Sequence, residues 1–136
     1  CEDLQQVFRE IKRVLKSNGI FICSTYSGSH MKEISELVKE FDDRIVLSAD
    51  RLYERFGKEN GKELLQKEFK DVVWVQYEDH LSVTDADALL AYILSCHGNQ
   101  NRYIVDRYRD FRAFVKKKTE KGFYITKDAG IFIVKK

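Results

Sequence analysis

The chain has 136 residues, 43% of them hydrophobic and 34% charged, which is the balance of a folded domain rather than a disordered tail. Its 24 basic and 22 acidic side chains leave a net charge of +2, so the composition indicates no polyanionic partner. No apolar run approaches the ~20 residues of a membrane span, and no leader pattern opens the chain, so we expect neither a membrane helix nor a secretory signal. The length predicts one domain over residues 1–136.

The cysteines and the start of the chain give two further expectations. Cys1, Cys23 and Cys96 are an odd number of thiols without metal-site spacing, which favours free thiols in a reducing cytoplasm. The chain has no proline, so its turns and helix ends must use Gly, Asn, Ser and Asp. It begins without methionine, inside what resembles a helix start, so we expect a piece of a longer protein.

The N-terminal segment predicts a helix followed directly by a strand. Apolar residues recur at helical spacing over residues 4–15, and Asp3 with Gln6 has the pattern of a capping box. Gly19 is predicted to end the helix in a left-handed conformation. The run Ile20–Cys23 is continuously apolar, which predicts a strand covered on both faces.

The central part predicts helices around a second strand. A small polar loop over residues 24–29 precedes another amphipathic helix. Asn60, with Glu63 three positions later, is predicted to cap a further helix. Residues 72–77 alternate as expected for a half-exposed strand near a sheet edge, and Trp74 is predicted to pack in the core.

The C-terminal part predicts two helices and a last strand. Thr84 and Asp87 form a capping-box pattern, and a longer helix is predicted over residues 101–118. Gly122 ends that helix, and residues 127–130 are predicted to form a turn. The predicted strands are Ile20–Ser24, Val72–Tyr77 and Ile131–Val134. The order of helices and strands predicts an α/β fold in layers.

One segment resembles a known family. Arg9–Gly19 is similar to the E-x-x-R-V-L-K-P-G-G segment of class I S-adenosylmethionine-dependent methyltransferases, in which it precedes the fifth strand of a seven-stranded sheet. Ser17 and Asn18 stand in place of the family's Pro-Gly, which keeps the turn chemistry and loses the proline. Three later pieces resemble the segments that lead to the sixth strand and form the seventh: Gly61–Leu65, Phe69–Val72 and Ala129–Lys136.

The resemblance implies a fold, an activity and a boundary. The fold is the last part of a Rossmann-like methyltransferase sheet, mixed in direction, whose final strand lies between the other two and runs antiparallel to them. The activity is methyl transfer from S-adenosylmethionine, and we expect a small-molecule acceptor. The glycine-rich loop and the ribose-binding acid of the family are absent from this sequence. The chain therefore resembles the C-terminal part of such an enzyme, and we expect the isolated chain to be inactive and to bind the cofactor poorly.

The loop after the first strand holds the candidate substrate-binding residues. In an open α/β sheet, ligands bind outside the carboxyl ends of the strands, where Tyr26 and His30 are predicted to lie. His30 could also act as a general base. The alternative is that Ser29 or His30 only caps the following helix. His80, and His97 beside Cys96, lack the second ligand pair of a metal site, so no metal site is predicted.

A basic and aromatic helix gives an alternative function. Arg102, Arg109, Arg112 and Lys116 recur along residues 101–118, interleaved with Tyr and Phe. Such a surface can hold phosphates and stack bases, which would suit a non-enzymatic nucleic-acid-binding or interaction module. Acidic residues interrupt the stripe, however, so a solvated helix face remains the simpler interpretation.

The resemblance also predicts an assembly. The family's fifth strand is paired on both sides, and the strand on one side would lie outside this chain. Ile20–Cys23 would then present an open apolar edge, which favours a symmetric homo-oligomer through that edge or the neighbouring helix faces. The alternative is a monomer in which the first helix folds over the edge.

Overall fold

A computed structural model describes residues 3–136, so Cys1, one of the predicted free thiols, lies outside the described residues. These residues form seven α-helices and three β-strands. The helices are α1 (Leu4–Val14), α2 (Lys32–Phe41), α3 (Leu52–Arg55), α4 (Lys58–Gln66), α5 (Ala86–Ser95), α6 (Gln100–Ile104) and α7 (Tyr108–Thr119). The strands are β1 (Ile20–Tyr26), β2 (Asp71–Val83) and β3 (Phe123–Lys135). The α/β class predicted from the sequence is confirmed, and within residues 3–136 no helix is both long and apolar enough to cross a membrane.

The three strands form one sheet in the order β1-β3-β2. The central position of the last strand is therefore confirmed, as is its antiparallel pairing with β1, in which Ile22 lies opposite Ile133. The description of the sheet as mixed is wrong, because the hydrogen-bonded neighbours are antiparallel. A final strand that runs against both of its neighbours leaves no parallel ladder.

All three strands are longer than predicted, and β1 continues to Tyr26 through the first part of the predicted polar loop. β2 and β3 each have 13 residues, and the turn predicted at residues 127–130 is part of β3. Ala129 and Gly130 pair with Tyr26 and Thr25 of β1, so ladder hydrogen bonds outweigh the local turn propensity. Gly130 is needed for close strand approach, because an added Cβ would lie 2.3 Å from the carbonyl oxygen of Val75.

The helix ends agree with the sequence in part. The Asp3 side chain accepts a hydrogen bond from the Gln6 backbone N–H, which confirms the N-cap. Gly122 has φ +87°, as predicted for the residue that ends the preceding helix. The left-handed conformation predicted for Gly19 is wrong. Gly19 is required for space instead, since its Cβ would lie 2.7 Å from Cγ of Leu15.

Two other predicted caps are displaced along the chain. Gly57, not Asn60, occupies the N-cap of α4, and Asn60 Oδ1 accepts from the Gly57 N–H at 2.7 Å. Asp85, not Thr84, caps α5, and its carboxylate accepts from the N–H groups of Asp87 and Ala88. In both cases the sequence pattern places the helix start within three residues of its position in the structure.

The described chain divides into two compact units, and the single domain expected from its length stays a prediction. Unit 1 comprises residues 3–30, 52–78 and 128–136. Its buried apolar cluster is Phe8, Leu65, Phe69, Val72, Phe132 and Val134. Trp74 packs on Phe132 with ring centres 4.7 Å apart, as predicted for the core. Cover on both faces of β1 is wrong, because Ile20 and Ile22 are exposed.

Unit 2 comprises residues 31–51 and 79–127. Its buried cluster is Ile34, Leu37, Val38, Ile45, Leu89, Leu90, Ile93, Ile104, Phe111, Val115 and Ile125. Beside this cluster the buried Asp42 carboxylate binds Arg44 and Arg107, and these hydrogen bonds hold the pKa of Asp42 well below its usual range. The single helix predicted over residues 101–118 is wrong, since a 3₁₀ turn at Val105–Arg107 separates α6 from α7.

Candidate functional site

An open cavity lies at the end of β1 in unit 1. It has a volume of about 520 Å³, and its walls are mainly apolar. The lining residues are Leu4, Ser24, Thr25, Tyr26, Leu52, Arg55, Phe56, Ala129 and Gly130. The cavity therefore occupies the carboxyl end of β1, where the sequence places a ligand-binding loop, and Tyr26 forms part of its wall.

The cavity wall is held by contacts between the end of β1 and the α3–α4 region. Thr25 Oγ1 donates a hydrogen bond to the Phe56 carbonyl oxygen at 2.7 Å. The Gly28 backbone N–H donates to the Glu59 carboxylate at 3.2 Å. An added Cβ on Gly28 would lie 2.9 Å from the Tyr53 ring, so a side chain there would displace this aromatic group. These contacts fix the loop that follows Tyr26.

Asp128 of β3 is the polar centre behind this loop. Its carboxylate accepts hydrogen bonds from Lys58 Nζ at 2.8 Å and Gln76 Nε2 at 2.9 Å. The hydroxyls of Ser27 and Ser29 also donate to it. The Lys58 ammonium first, and then the Ser27 hydroxyl, hold the pKa of Asp128 well below its usual range. An ionised carboxylate thus fastens the loop to β2, β3 and α4.

His30 lies beside Tyr26, so the structure brings the two predicted substrate-binding residues together. Their ring centres are 5.3 Å apart. His30 Nδ1 accepts a hydrogen bond from the Asp128 backbone N–H at 3.0 Å, which assigns the proton of neutral His30 to Nε2. The ring would have to release this bond before either nitrogen could serve as a base. The alternative that Ser29 or His30 caps the next helix is wrong, because Met31 occupies the N-cap of α2.

Arg55 supplies the cationic group of the cavity lining. It is exposed, and within residues 3–136 it forms no ion pair. Leu52 and Phe56 on either side of it are apolar. A guanidinium beside apolar walls is suited to a small molecule that combines an anionic group with an apolar body.

Sequence reasoning missed Arg55, Lys58 and Asp128. Arg55 and Lys58 lie in a stretch without a clear motif, and Asp128 lies in a segment that has the composition of a turn. No spacing rule connects Asp128 with Ser27, about a hundred positions earlier. A signal for this site would have required the pairing of β1 with β3 to continue through Ala129 and Gly130, in a segment whose composition predicts a turn.

The other candidate residues weighed from the sequence are not part of this cavity lining. His80 stacks on Tyr124 in unit 2, with ring centres 5.1 Å apart. The Cys96 thiol donates a hydrogen bond to the Tyr92 carbonyl, and burial raises its pKa. Across residues 3–136, no three side chains of His, Cys, Asp or Glu come together as a metal-binding group.

The basic and aromatic helix does not form the continuous surface that the sequence suggested. Arg112 makes two hydrogen bonds to Asp87, at 2.8 and 2.9 Å, so its charge is paired. Phe111 is fully buried in the cluster of unit 2, and Phe114 packs against Phe41 with ring centres 5.6 Å apart. Phe111 and Phe114 therefore contribute to the core, whereas Tyr108 is exposed.

The structure is thus an α/β protein with an open cavity at the carboxyl end of a strand, and one relative is similar to part of its sequence. The chain is 37% identical over 43 residues to malonyl-[acyl-carrier protein] O-methyltransferase of Nitrosospira multiformis. The match covers 32% of this chain and 14% of that protein, which is therefore more than twice as long. No protein-family model matches the chain. No solved structure matches it either. The local similarity indicates a relationship to methyltransferases.

Proposed function

We propose that this chain is the C-terminal part of an S-adenosylmethionine-dependent methyltransferase that acts on a small molecule. The observation that carries the proposal is the strand order, with the last strand between β1 and β2 as the resemblance implies. The local similarity to an O-methyltransferase supports it independently. The free thiols Cys23 and Cys96 are consistent with the cytoplasmic location that we propose for the protein.

The chemistry of methyl transfer assigns a role to the cavity. S-adenosylmethionine, bound by the longer protein, would supply an activated methyl group for transfer to the acceptor atom. Catalysis of this step depends mainly on holding the acceptor in line. In our proposal the cavity at the end of β1 holds the acceptor, Tyr26 and His30 contribute to substrate binding, and Arg55 binds an anionic group on the substrate.

Labelling of a metabolite extract by the longer protein tests this proposal. With radiolabelled S-adenosylmethionine, we expect a small molecule to acquire label, and we expect Arg55→Gln to raise the KM for that acceptor about tenfold, the cost of one charged contact. Arg51→Gln is the matched control, since Arg51 is a neighbouring exposed arginine outside the cavity lining. Equal KM values for the two variants would contradict the role of Arg55, and absence of any labelled product would contradict the activity.

Calorimetry of the 136-residue chain tests the proposed boundary. Because the sequence has no strand followed by a G-x-G loop, we expect no micromolar affinity for S-adenosylmethionine. The coding sequence upstream should encode a strand and a G-x-G-x-G loop about 60–100 residues before Cys1. Micromolar binding by the isolated chain, or an upstream sequence without that loop, would show that the proposed division is wrong.

A further inference from the structure

A side chain completes the hydrogen-bond ladder at the end of β1. Opposite residues of a hydrogen-bonded antiparallel pair exchange two backbone bonds. Ser27, the residue after β1, donates its N–H to the Asp128 carbonyl oxygen of β3 at 2.9 Å, which is the first of these bonds. The return bond is different, because the Asp128 N–H donates to Nδ1 of His30 at 3.0 Å. The imidazole therefore takes the place that the Ser27 carbonyl would have in a regular ladder.

A tight turn explains why a side chain is needed at this point. The His30 backbone N–H donates to the Ser27 carbonyl oxygen at 3.2 Å, which is the bond that closes a β-turn. The turn uses this carbonyl where the chain leaves the sheet, so the Asp128 N–H needs another acceptor. His30 thus closes the turn with its backbone and completes the ladder with its ring.

The ring of His30 also supports the wall of the cavity. Tyr26 lines the cavity, whereas His30 is not part of the lining. The centres of the two rings lie 5.3 Å apart, and their planes are inclined by 34°. The contacts run from the Asp128 N–H through the His30 ring to the Tyr26 ring, and all three residues belong to unit 1. His30 therefore acts on the cavity wall through Tyr26.

We infer that His30 is a positioning residue and not a base: its Nδ1 accepts the Asp128 N–H and thereby holds Tyr26 in the cavity wall, where Tyr26 contacts the substrate. A nitrogen that accepts a hydrogen bond carries no proton, so this bond requires the neutral ring with its proton on Nε2. The part of the inference that concerns the substrate rests on the proposed function, and the part that concerns the hydrogen bond does not.

Two substitutions separate the acceptor nitrogen of His30 from its ring. His30→Asn keeps an acceptor, since Oδ1 of asparagine is bonded to Cγ as Nδ1 is, whereas His30→Phe keeps an aromatic ring and removes the acceptor. In the 136-residue chain we expect the Asp128 N–H to exchange with solvent about tenfold faster in His30→Phe, the effect of one lost hydrogen bond, and close to its original rate in His30→Asn.

Hydrogen exchange followed by NMR measures these rates. His97→Phe is the matched control, since His97 is an exposed histidine of unit 2, and it should leave the Asp128 rate unchanged. Unchanged exchange in the rest of β3 verifies that each variant is folded. If His30→Phe does not fold, His30→Asn and the nitrogen spectrum of the unaltered ring decide, because the inference requires Nδ1 without a proton. Equal Asp128 rates in the unaltered chain and both His30 variants would overturn the inference.

Kinetics of the longer protein test the link to the substrate. With the small molecule that becomes labelled in the extract, we expect His30→Phe to raise its KM about tenfold with little change in kcat, and His30→Asn to restore most of the KM. A fall in kcat of about 10²–10⁴-fold in both variants would make His30 a general base and overturn the inference. A KM that is unchanged in His30→Phe would also overturn it. Absence of product from the unaltered protein would contradict the proposed function alone, because the exchange rates test the hydrogen bond without it.

Discussion

The two units differ in how completely they bury their apolar residues. Among the described residues, unit 2 has eleven buried apolar residues in one cluster, contributed by helices, by β3 and by Ile45 of the segment after α2. Unit 1 has six, all on one side of its sheet. The other side of the sheet, which we call the open face, exposes Ile20, Ile22, Val73, Val75 and Tyr77. Ile20-Phe21-Ile22 of unit 1 is as apolar as any buried segment of unit 2. The comparison shows that the composition of a strand does not decide whether both of its faces are covered.

The largest expected effect is the difference in stability between a substitution on the covered face of the unit 1 sheet and one on its open face. Phe132→Ala should lower the free energy of unfolding by about 3–5 kcal/mol, because Phe132 is fully buried against Trp74 and Phe56 and the truncation leaves a cavity. Val73→Ala, at an exposed position of the same sheet, should cost about 0.5 kcal/mol or less. Urea unfolding of the two variants measures the difference. Similar losses would mean that the open face is covered in solution.

A smaller effect is expected at the carboxylate behind the cavity loop. Asp128→Asn should cost roughly 2 kcal/mol at pH 7, since the Lys58 ammonium and the Ser27 hydroxyl lose a charged acceptor. The folded-state pKa of Asp128 lies below its unfolded value of about 3.9. Its contribution is therefore present above that unfolded value and is lost as the pH falls toward the folded pKa. The difference in unfolding free energy between the unaltered chain and Asp128→Asn should therefore narrow as the pH falls from about 5 to about 2, because Asp128 becomes protonated over this range. A difference in unfolding free energy that stays constant over this range would contradict the conclusion that Asp128 is ionised in the folded chain.

The last prediction concerns the reactivity of the two described cysteine thiols, and it involves no change in the stability of the fold. Burial on the covered face raises the pKa of Cys23 to about 11, and burial also raises the pKa of Cys96 in unit 2. The thiolate is the reactive form, so in a Cys1→Ser chain iodoacetamide at pH 8 should alkylate Cys23 at least ~10-fold more slowly than Cys96. Mass spectrometry of timed samples measures both rates. A faster reaction at Cys23 would show that the covered face opens.

The methyltransferase resemblance correctly placed the last strand, although no local pattern specifies strand order. The segment that ends at Gly19 resembles a segment of one family, and the fold of that family has an antiparallel last strand between its neighbours, as the structure does here. Tyr26 lies at the carboxyl end of β1 and lines the cavity there, and its part in substrate binding stays a prediction. Arg55 and Asp128 could not be predicted, since they meet the loop only through tertiary contacts.

The sequence by itself determined the elements whose signal is local. Helical spacing of apolar residues predicted α1, and a continuous apolar run predicted the start of β1. The Asp3 side chain predicted one helix start, and the conformational freedom of Gly122 predicted one helix end. Only the tertiary structure decided the length of β3, the open face and the Asp128 network. Each of these depends on partners far along the chain: a ladder with β1 converts residues 127–130 from a turn into strand, and burial depends on which helix lies above a side chain. Local propensity carries energies of about 1 kcal/mol per residue or less, so it yields where long-range hydrogen bonds and packing act together.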